Sequence, residues 1–262
     1  LKAILLAGAD KSPFTSWEQT TSRPIDDVFG AGQLDVYENY FIQQAGQQTA
    51  DNPLNQRGWN RSSVSSSNSE AYQLNVPAGF ELRNLSALIT WNRDVTRTSR
   101  GLRTSYTASL ADLSLSLTGN VSQSSDSPVD NIEHIWRDSN SALASGSYTL
   151  TVASTSSTST AYALAWRSEL YQDYTLWRST AFSASTPVDQ REGADDPDGD
   201  GIPNLHEQAF GGDPQASDSS ILPISETVLH NDQSYLQISY RKPNFNNGLT
   251  YTVETVTDLN GT

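Results

Sequence analysis

A mainly β chain is predicted: a β-sandwich or jelly roll over residues 57–170, with a short apolar segment before it and an acidic linker and partial β module after it. Three observations predict this class. Hydrophobic content is 35% and mean hydropathy is -0.52, low for a helical enzyme. Yet six Trp, eleven Tyr and seven Phe supply aromatic cores that a disordered chain lacks. From Trp59 to Leu170, short alternating runs are separated by Ser, Asn, Asp and Gly, the pattern of antiparallel strands with one buried face.

Residues 1–9, LKAILLAGA, are apolar apart from Lys2; Ala-Leu richness favours a helix, while shortness leaves a strand open. With no local partner evident, Leu1, Ile4, Leu5 and Leu6 are expected to be covered by a neighbouring copy. Strand donation into its sheet is the favoured form, and a helix docked in a groove the other. A polar loop follows, then a tight turn at Gly30 and Gly32, a short amphipathic helix over 34–42 and a polar linker over 43–56.

Six strands are expected at 71–76, 85–91, 111–117, 131–136, 147–152 and 162–166. In LSLSL, Leu113, Leu115 and Leu117 share one face and the serines the other. Trp91, Trp136 and Trp166 read as core anchors. The Ser/Thr-rich tracts 62–69 and 154–160 read as solvated loops, and they, with Asn60, Asn84 and Asn120, are the places where glycans would attach. Arg93, Arg97, Arg100 and Arg103 read as a solvated basic loop that could dock on an acidic segment of another copy. Beyond the linker at 186–218, alternation returns at 234–240 and 249–256, the opening strands of a partial, immunoglobulin-like module over 219–262. Two or three strands are marginal alone, so this module is expected to lean on a neighbour.

Charge narrows the partners. Sixteen Lys and Arg against thirty Asp and Glu give a net charge of -14, and the pI is near 4.4. Such a chain repels phosphate backbones and anionic headgroups, so neither nucleic acid nor a membrane surface is an expected partner. The absence of Cys removes disulfides, thiolate metal sites and thiol nucleophiles. No apolar run approaches the roughly 20 residues of a helical span, so membrane insertion is not expected.

The sharpest motif is DPDGDGIPNLHE, residues 196–207. Asp196, Asp198 and Asp200 place carboxylates at alternate positions, and Gly201 permits a sharp turn. The Ile202 carbonyl, Asn204 and Glu207 complete a set of oxygens for one hard dication, with Glu207 able to bind bidentate. Calcium is the predicted cofactor. A solitary loop after a β domain reads as a structural clamp rather than a sensor, because no paired loop with an incoming helix accompanies it. A second group, Asp130, Asn131 and Glu133, offers too few acceptors for calcium and reads as a hydrogen-bonded turn entering a strand, with Ile132 and Ile135 in the core.

Three resemblances follow from these residues. The 196–207 loop, with Phe210-Gly211-Gly212-Asp213-Pro214 after it, resembles thrombospondin type 3 and dockerin-like calcium repeats. The runs ADLSLSLTG, SPVDNIEHIW, ASGSYTLTV and AYALAW, within 107–166, are similar to the jelly-roll domains that follow catalytic domains in secreted bacterial peptidases. LKAILLAGADK followed by DDVFGAGQLDVYENY resembles the end of a subtilisin-like serine protease domain over residues 1–45, with Phe29, Gly30, Gly32, Leu34 and Tyr37 carrying the match. The nucleophile, acid and base segments of that family are missing. His134 in an expected strand, His206 in the calcium loop and His230 in a late loop have no nucleophile partner evident in sequence, so the chain is expected not to be an enzyme.

The resemblances imply an extracellular or cell-surface bacterial protein with a protease-end-like segment at 1–50, the sandwich at 57–170, the calcium linker at 186–218 and the last module at 219–262. A left edge at Leu1 inside the protease-like segment suggests a piece of a longer precursor. The favoured function is a non-catalytic calcium-binding structural subunit that assembles, as a filament or surface layer, through Leu1, Ile4, Leu5 and Leu6. The alternative is the accessory C-terminal region of a secreted subtilisin-like serine protease.

Overall fold

The computed structural model describes residues 1–254. It divides into two compact units, Leu1–Leu170 and a second that begins at Tyr171. In chain order the first unit contains α1 (Lys2–Ala7), α2 (Val36–Gln44), β1 (Arg57–Val64), β2 (Glu70–Val76), β3 (Glu81–Trp91), β4 (Asp94–Arg100) and β5 (Arg103–Ser109). It continues with β6 (Leu113–Thr118), β7 (Gln123–Ser125), β8 (Ile132–Arg137), β9 (Gly146–Ser154) and β10 (Thr160–Tyr171).

Two four-stranded sheets, ordered β1-β10-β3-β8 and β2-β9-β6-β7, enclose one core, so the chain is mainly β as its alternation predicts. Leu113, Leu115 and Leu117 of β6 are fully buried against Leu85, Ala87 and Ile89 of β3 and Trp166 of β10. The antiparallel register sets Leu115 opposite Val152 and Leu117 opposite Leu150, stacking apolar pairs on the inner face. Removing such side chains from water contributes roughly 25 cal/mol per Å² of apolar area. Trp91 and Trp166 are core anchors whose indole N–H groups donate to Ala111 O at 2.8 Å and Asn55 O at 2.9 Å. Trp136 is only half-buried and belongs to no core cluster, which corrects its expected role.

The N-terminal segment departs most from expectation. Residues 2–7 form a helix whose stripe of Ala3, Ile4 and Ala7 packs with Ile42 of α2 onto Leu88 and Ala165, the outer face of the β1-β10-β3-β8 sheet. Two small alanines let the helix approach this sheet closely, so β3 is buried on both sides. The expectation of a donated strand lacking local cover is corrected: the chain's own sheet takes up Ile4. Leu1 and Leu5 stay 83% and 38% exposed. Replacing Ile4 by Ala is therefore expected to cost about 2 kcal/mol of unfolding free energy, and Leu5→Ala less than about 0.5 kcal/mol. Urea denaturation of the two variants measures the contrast; equal losses would contradict this packing.

Residues 1–50, expected as a separate segment, lie in the same compact unit as the sandwich. Asp35 caps α2 by accepting the Glu38 amide at 3.0 Å, two residues later than the helix start expected at 34. Ser62 and Ser63 belong to β1 rather than a solvated loop, because Val64 is buried and Ser62 pairs with Tyr162. Asn60 is 3% exposed, accepts from Gln47 and donates to the Tyr72 hydroxyl, so it cannot carry a glycan; Asn120 is exposed. The expected basic loop is a hairpin, β4 with β5, exposed along its whole length and closing at Arg100 opposite Arg103.

The second unit holds α3 (Tyr174–Ala181), α4 (Asn204–Phe210), β11 (Ile224–His230) and β12 (Gln233–Ser239). β11 and β12 form a two-stranded antiparallel sheet, so His230 ends a strand rather than sitting in a loop. The strand expected at 249–256 is not formed over 249–254, and its last two residues, with the rest of the expected module to 262, lie outside the described residues. Among the described residues no helix is long and apolar enough to cross a membrane.

Candidate metal centre

The acidic loop is built by its own carboxylates. Asp196 Oδ1 accepts the amides of Gly199 at 2.9 Å and Asp200 at 3.2 Å, and its Oδ2 accepts that of Gly201 at 2.8 Å. Asp198 Oδ1 accepts the Asp200 amide, while Asp200 accepts the amides of Ile202 at 2.8 Å and Asp218 at 2.9 Å. This coil requires positive φ at Gly199 (75°) and Gly201 (89°), which glycine adopts without a Cβ clash. One ligand atom from each of Asp196, Asp198 and Asp200 lies within 4.8 Å of the others.

Glu207 approaches from α4 and is not one of that close triplet. Its place is fixed where the helix ends: Gly211 adopts the left-handed conformation, and the Gly211 and Gly212 amides both donate to Glu207 O. The Glu207 side chain is 2% exposed and its Oε2 has no hydrogen-bond partner. Burial, then the fields of Asp198, Asp200, Asp213 and Asp196, push its carboxyl up to about 8. Asp198 Oδ2 is likewise buried and unpartnered, and burial raises its carboxyl, whereas the Gly201 amide is the main influence holding Asp196 below the usual range. Unpaired carboxylate oxygens buried beside one another are costly unless a cation or a proton compensates them.

The remaining motif residues act differently. The Ile202 side chain is buried. The Asn204 amide nitrogen donates to the carbonyls of Gln190 at 3.1 Å and Glu192 at 2.8 Å, bracing the loop, while its Oδ1 is buried without a partner. His206 is exposed on α4, outside the coil. Asp213 and Asp218, which sequence spacing did not single out, add a negative field at Glu207 and an anchoring amide for Asp200. The only sequence signal for Asp213 is the FGGDP that closes the motif.

In the first unit, Asp130, Asn131 and Glu133 do not converge. Asn131 donates to Trp91 O at 2.7 Å, Asp130 accepts from Ser127 Oγ, and Glu133 points inward, accepting from Ser125 Oγ and the Ser127 amide. Ile135 is fully buried in the core, and Ile132 packs partly buried against the outer cluster. His134 does have a serine partner that sequence reading missed: Ser86 Oγ lies 3.0 Å from Nε2, and Nδ1 faces Pro24 O at 3.2 Å. Nδ1 therefore carries the proton it gives to Pro24, and Ser86 donates to Nε2. Both residues are fully buried, and Nδ1 meets a carbonyl where a triad requires a carboxylate. The pair is a polar core element.

No protein-family model matches this chain, and no curated protein matches it. Among solved structures it is similar to the pre-peptidase C-terminal domain of a collagenase from Bacillus anthracis, at 12% identity over 44% of this chain and 93% of that one, with a TM-score of 0.30. It is also similar to PliG, a periplasmic inhibitor of g-type lysozyme. The Aeromonas hydrophila protein matches at 11% identity over 47% of this chain and 99% of that one, with a TM-score of 0.27. The Salmonella Typhimurium protein matches at 14% identity, 47% and 98%, with a TM-score of 0.24.

Proposed function

We propose that the chain is a non-catalytic, calcium-braced β module of an extracellular bacterial protein, accessory to a subtilisin-like serine protease. The observation that carries this reading is the buried, unpartnered Glu207 Oε2 beside the converging carboxylates of Asp196, Asp198 and Asp200. Calcium would supply the missing positive charge and accepts six to eight oxygens in a flexible shell. Asp196, Asp198, Asp200 and Glu207 would hold it, with the Ile202 carbonyl and Asn204 completing the set. The accessory role draws on the resemblance of residues 1–45 to a protease end, together with the packing of α1 and α2 on the sandwich. Self-association through Leu1, Ile4, Leu5 and Leu6 is the second reading, favoured now only by the exposure of Leu1 and Leu5.

Arg191 is the one Lys or Arg between 186 and 218, which makes trypsin a local probe of the clamp. Its guanidinium donates to the carbonyls of Thr186 and Ser183, contacts that tie down the approach to the acidic coil. Calcium is expected to slow cleavage after Arg191 by at least about tenfold, since proteolysis tracks local opening. Asp198→Ala should remove that protection. Equal cleavage rates in calcium and in chelator would reject the clamp.

A further inference from the structure

The hairpin of β4 and β5 reverses the sign of the chain around it. Net charge is -14, yet Arg93, Arg97, Arg100 and Arg103 fall within residues 93–103 with one carboxylate among them, Asp94. The two strands pair only with each other, as a separate two-stranded sheet, and every residue of both is exposed. Register sets Arg97 opposite Tyr106 and Val95 opposite Ala108 on one face, and Arg100 opposite Arg103 on the other. Asp94 lies at the root, opposite Ser109, away from the arginine pair at the tip. Arg93 reaches Val129 O at 3.4 Å, whereas Arg97, Arg100 and Arg103 make no ion pair among the described residues. Tyr106 is 67% exposed beside Arg97, and these are the residue types enriched at the centres of protein interfaces.

The complement lies in the same sequence. Residues 186–218 hold nine Asp and Glu against Arg191 alone, and Asp189 and Glu192, ahead of the acidic coil, are exposed. Nine carboxylates outweigh Arg191 together with one bound dication, so the segment stays negative with calcium in place.

We propose that the hairpin is an arm that seats on the acidic 186–218 segment of a second copy of the chain, with Arg97, Arg100 and Arg103 on its carboxylates and Tyr106 in the contact. Each guanidinium presents a planar fork that matches a carboxylate edge. An acidic partner also relieves the like charges that face each other at Arg100 and Arg103. Net repulsion between copies does not prevent this, because at about 0.1 M salt charges more than about 10 Å apart are largely screened and pairs in contact much less so. Arm and segment are different surfaces and every copy carries both, so the contact runs head to tail. It uses neither Leu1 nor Leu5, and it stands whether or not calcium binds.

Sedimentation equilibrium of the full chain over a range of protein concentrations, at about 0.1 M and about 0.5 M sodium chloride, tests it. Association at the lower salt, weakened at least about tenfold at the higher, is expected. Replacing Arg97, Arg100 and Arg103 together by Glu should abolish association and leave the melting temperature unchanged, because all three are exposed. On the acceptor side, Asp189→Lys with Glu192→Lys should weaken association at least about tenfold. Mixing these two variants, at a concentration where neither associates alone, should restore a complex, since the first keeps the acidic segment and the second keeps the arm. A chain that is monomeric at every concentration, association indifferent to the arginine changes, or no complex in the mixture would overturn the proposal. Hairpin-dependent binding of polyphosphate by a chain that stays monomeric would overturn it as well, making the arm a polyanion site instead.

Discussion

Glu207→Gln is expected to shift the stability of the second unit in opposite directions with and without calcium. In chelator the substitution replaces a buried carboxylate oxygen that has no partner and faces Asp198, Asp200, Asp213 and Asp196. Removing that repulsion should leave the melting temperature unchanged or raise it. With calcium at about a hundred times its dissociation constant, the native wild-type chain gains roughly 2.7 kcal/mol by mass action. For a unit of this size that corresponds to a rise of more than about 10 °C. Gln offers one neutral oxygen where the motif needs two charged ones, so most of that rise should vanish in the variant. Scanning calorimetry of both proteins in chelator and in calcium reads the four values. An equal calcium-induced rise in wild type and variant would remove Glu207 from the site.

Glu133→Gln should flatten the pH dependence of the first unit. Burial holds the Glu133 carboxyl up at about 7, despite the Ser125 hydroxyl and Ser127 amide that favour its anion, and Asp126 and Asp130 add to the rise. Its ordinary value is 4.5. Between those two values the native chain keeps a proton that the unfolded chain has released, so stability falls as pH rises through this window. The loss amounts to about 3 kcal/mol by pH 8, and it is absent below about pH 4.5. Glutamine keeps the shape, can accept the Ser127 amide and can donate to Ser125 Oγ. The variant is therefore expected to be more stable than wild type at pH 8 by a similar amount and nearly equal to it at pH 4.5. Urea midpoints across this range, taken as the difference between the two proteins, isolate Glu133. A difference that does not change with pH would contradict the buried carboxyl.

Strands were legible in the sequence where one face is apolar. Leu113, Leu115 and Leu117 stand out because serines separate them, and the windows at 71–76 and 147–152 alternate in the same way. The hairpin of β4 and β5 was not, because all its residues are exposed and no face selects apolar side chains. The helix of residues 2–7 escaped assignment for the opposite reason: nearly every position is apolar, so neither period stands out. The acidic coil was legible in full spacing, since its carboxylates are local. Glu207 burial was not, because it depends on the turn at the helix end, where Gly211 is left-handed and Gly212 passes so close that an added Cβ would lie 3.2 Å from the Glu207 Cβ. Nor could sequence show that Lys11 is buried under Trp17 and Trp136, residues up to 125 positions away in the chain.

The most direct test of the calcium-braced reading is a calorimetric titration of chelator-treated full-length chain with calcium chloride. One saturable site per chain is expected, lost in Asp198→Ala and much weakened in Glu207→Gln. A titration without binding heat at several temperatures, or one whose heat is unchanged by both substitutions, would contradict the account.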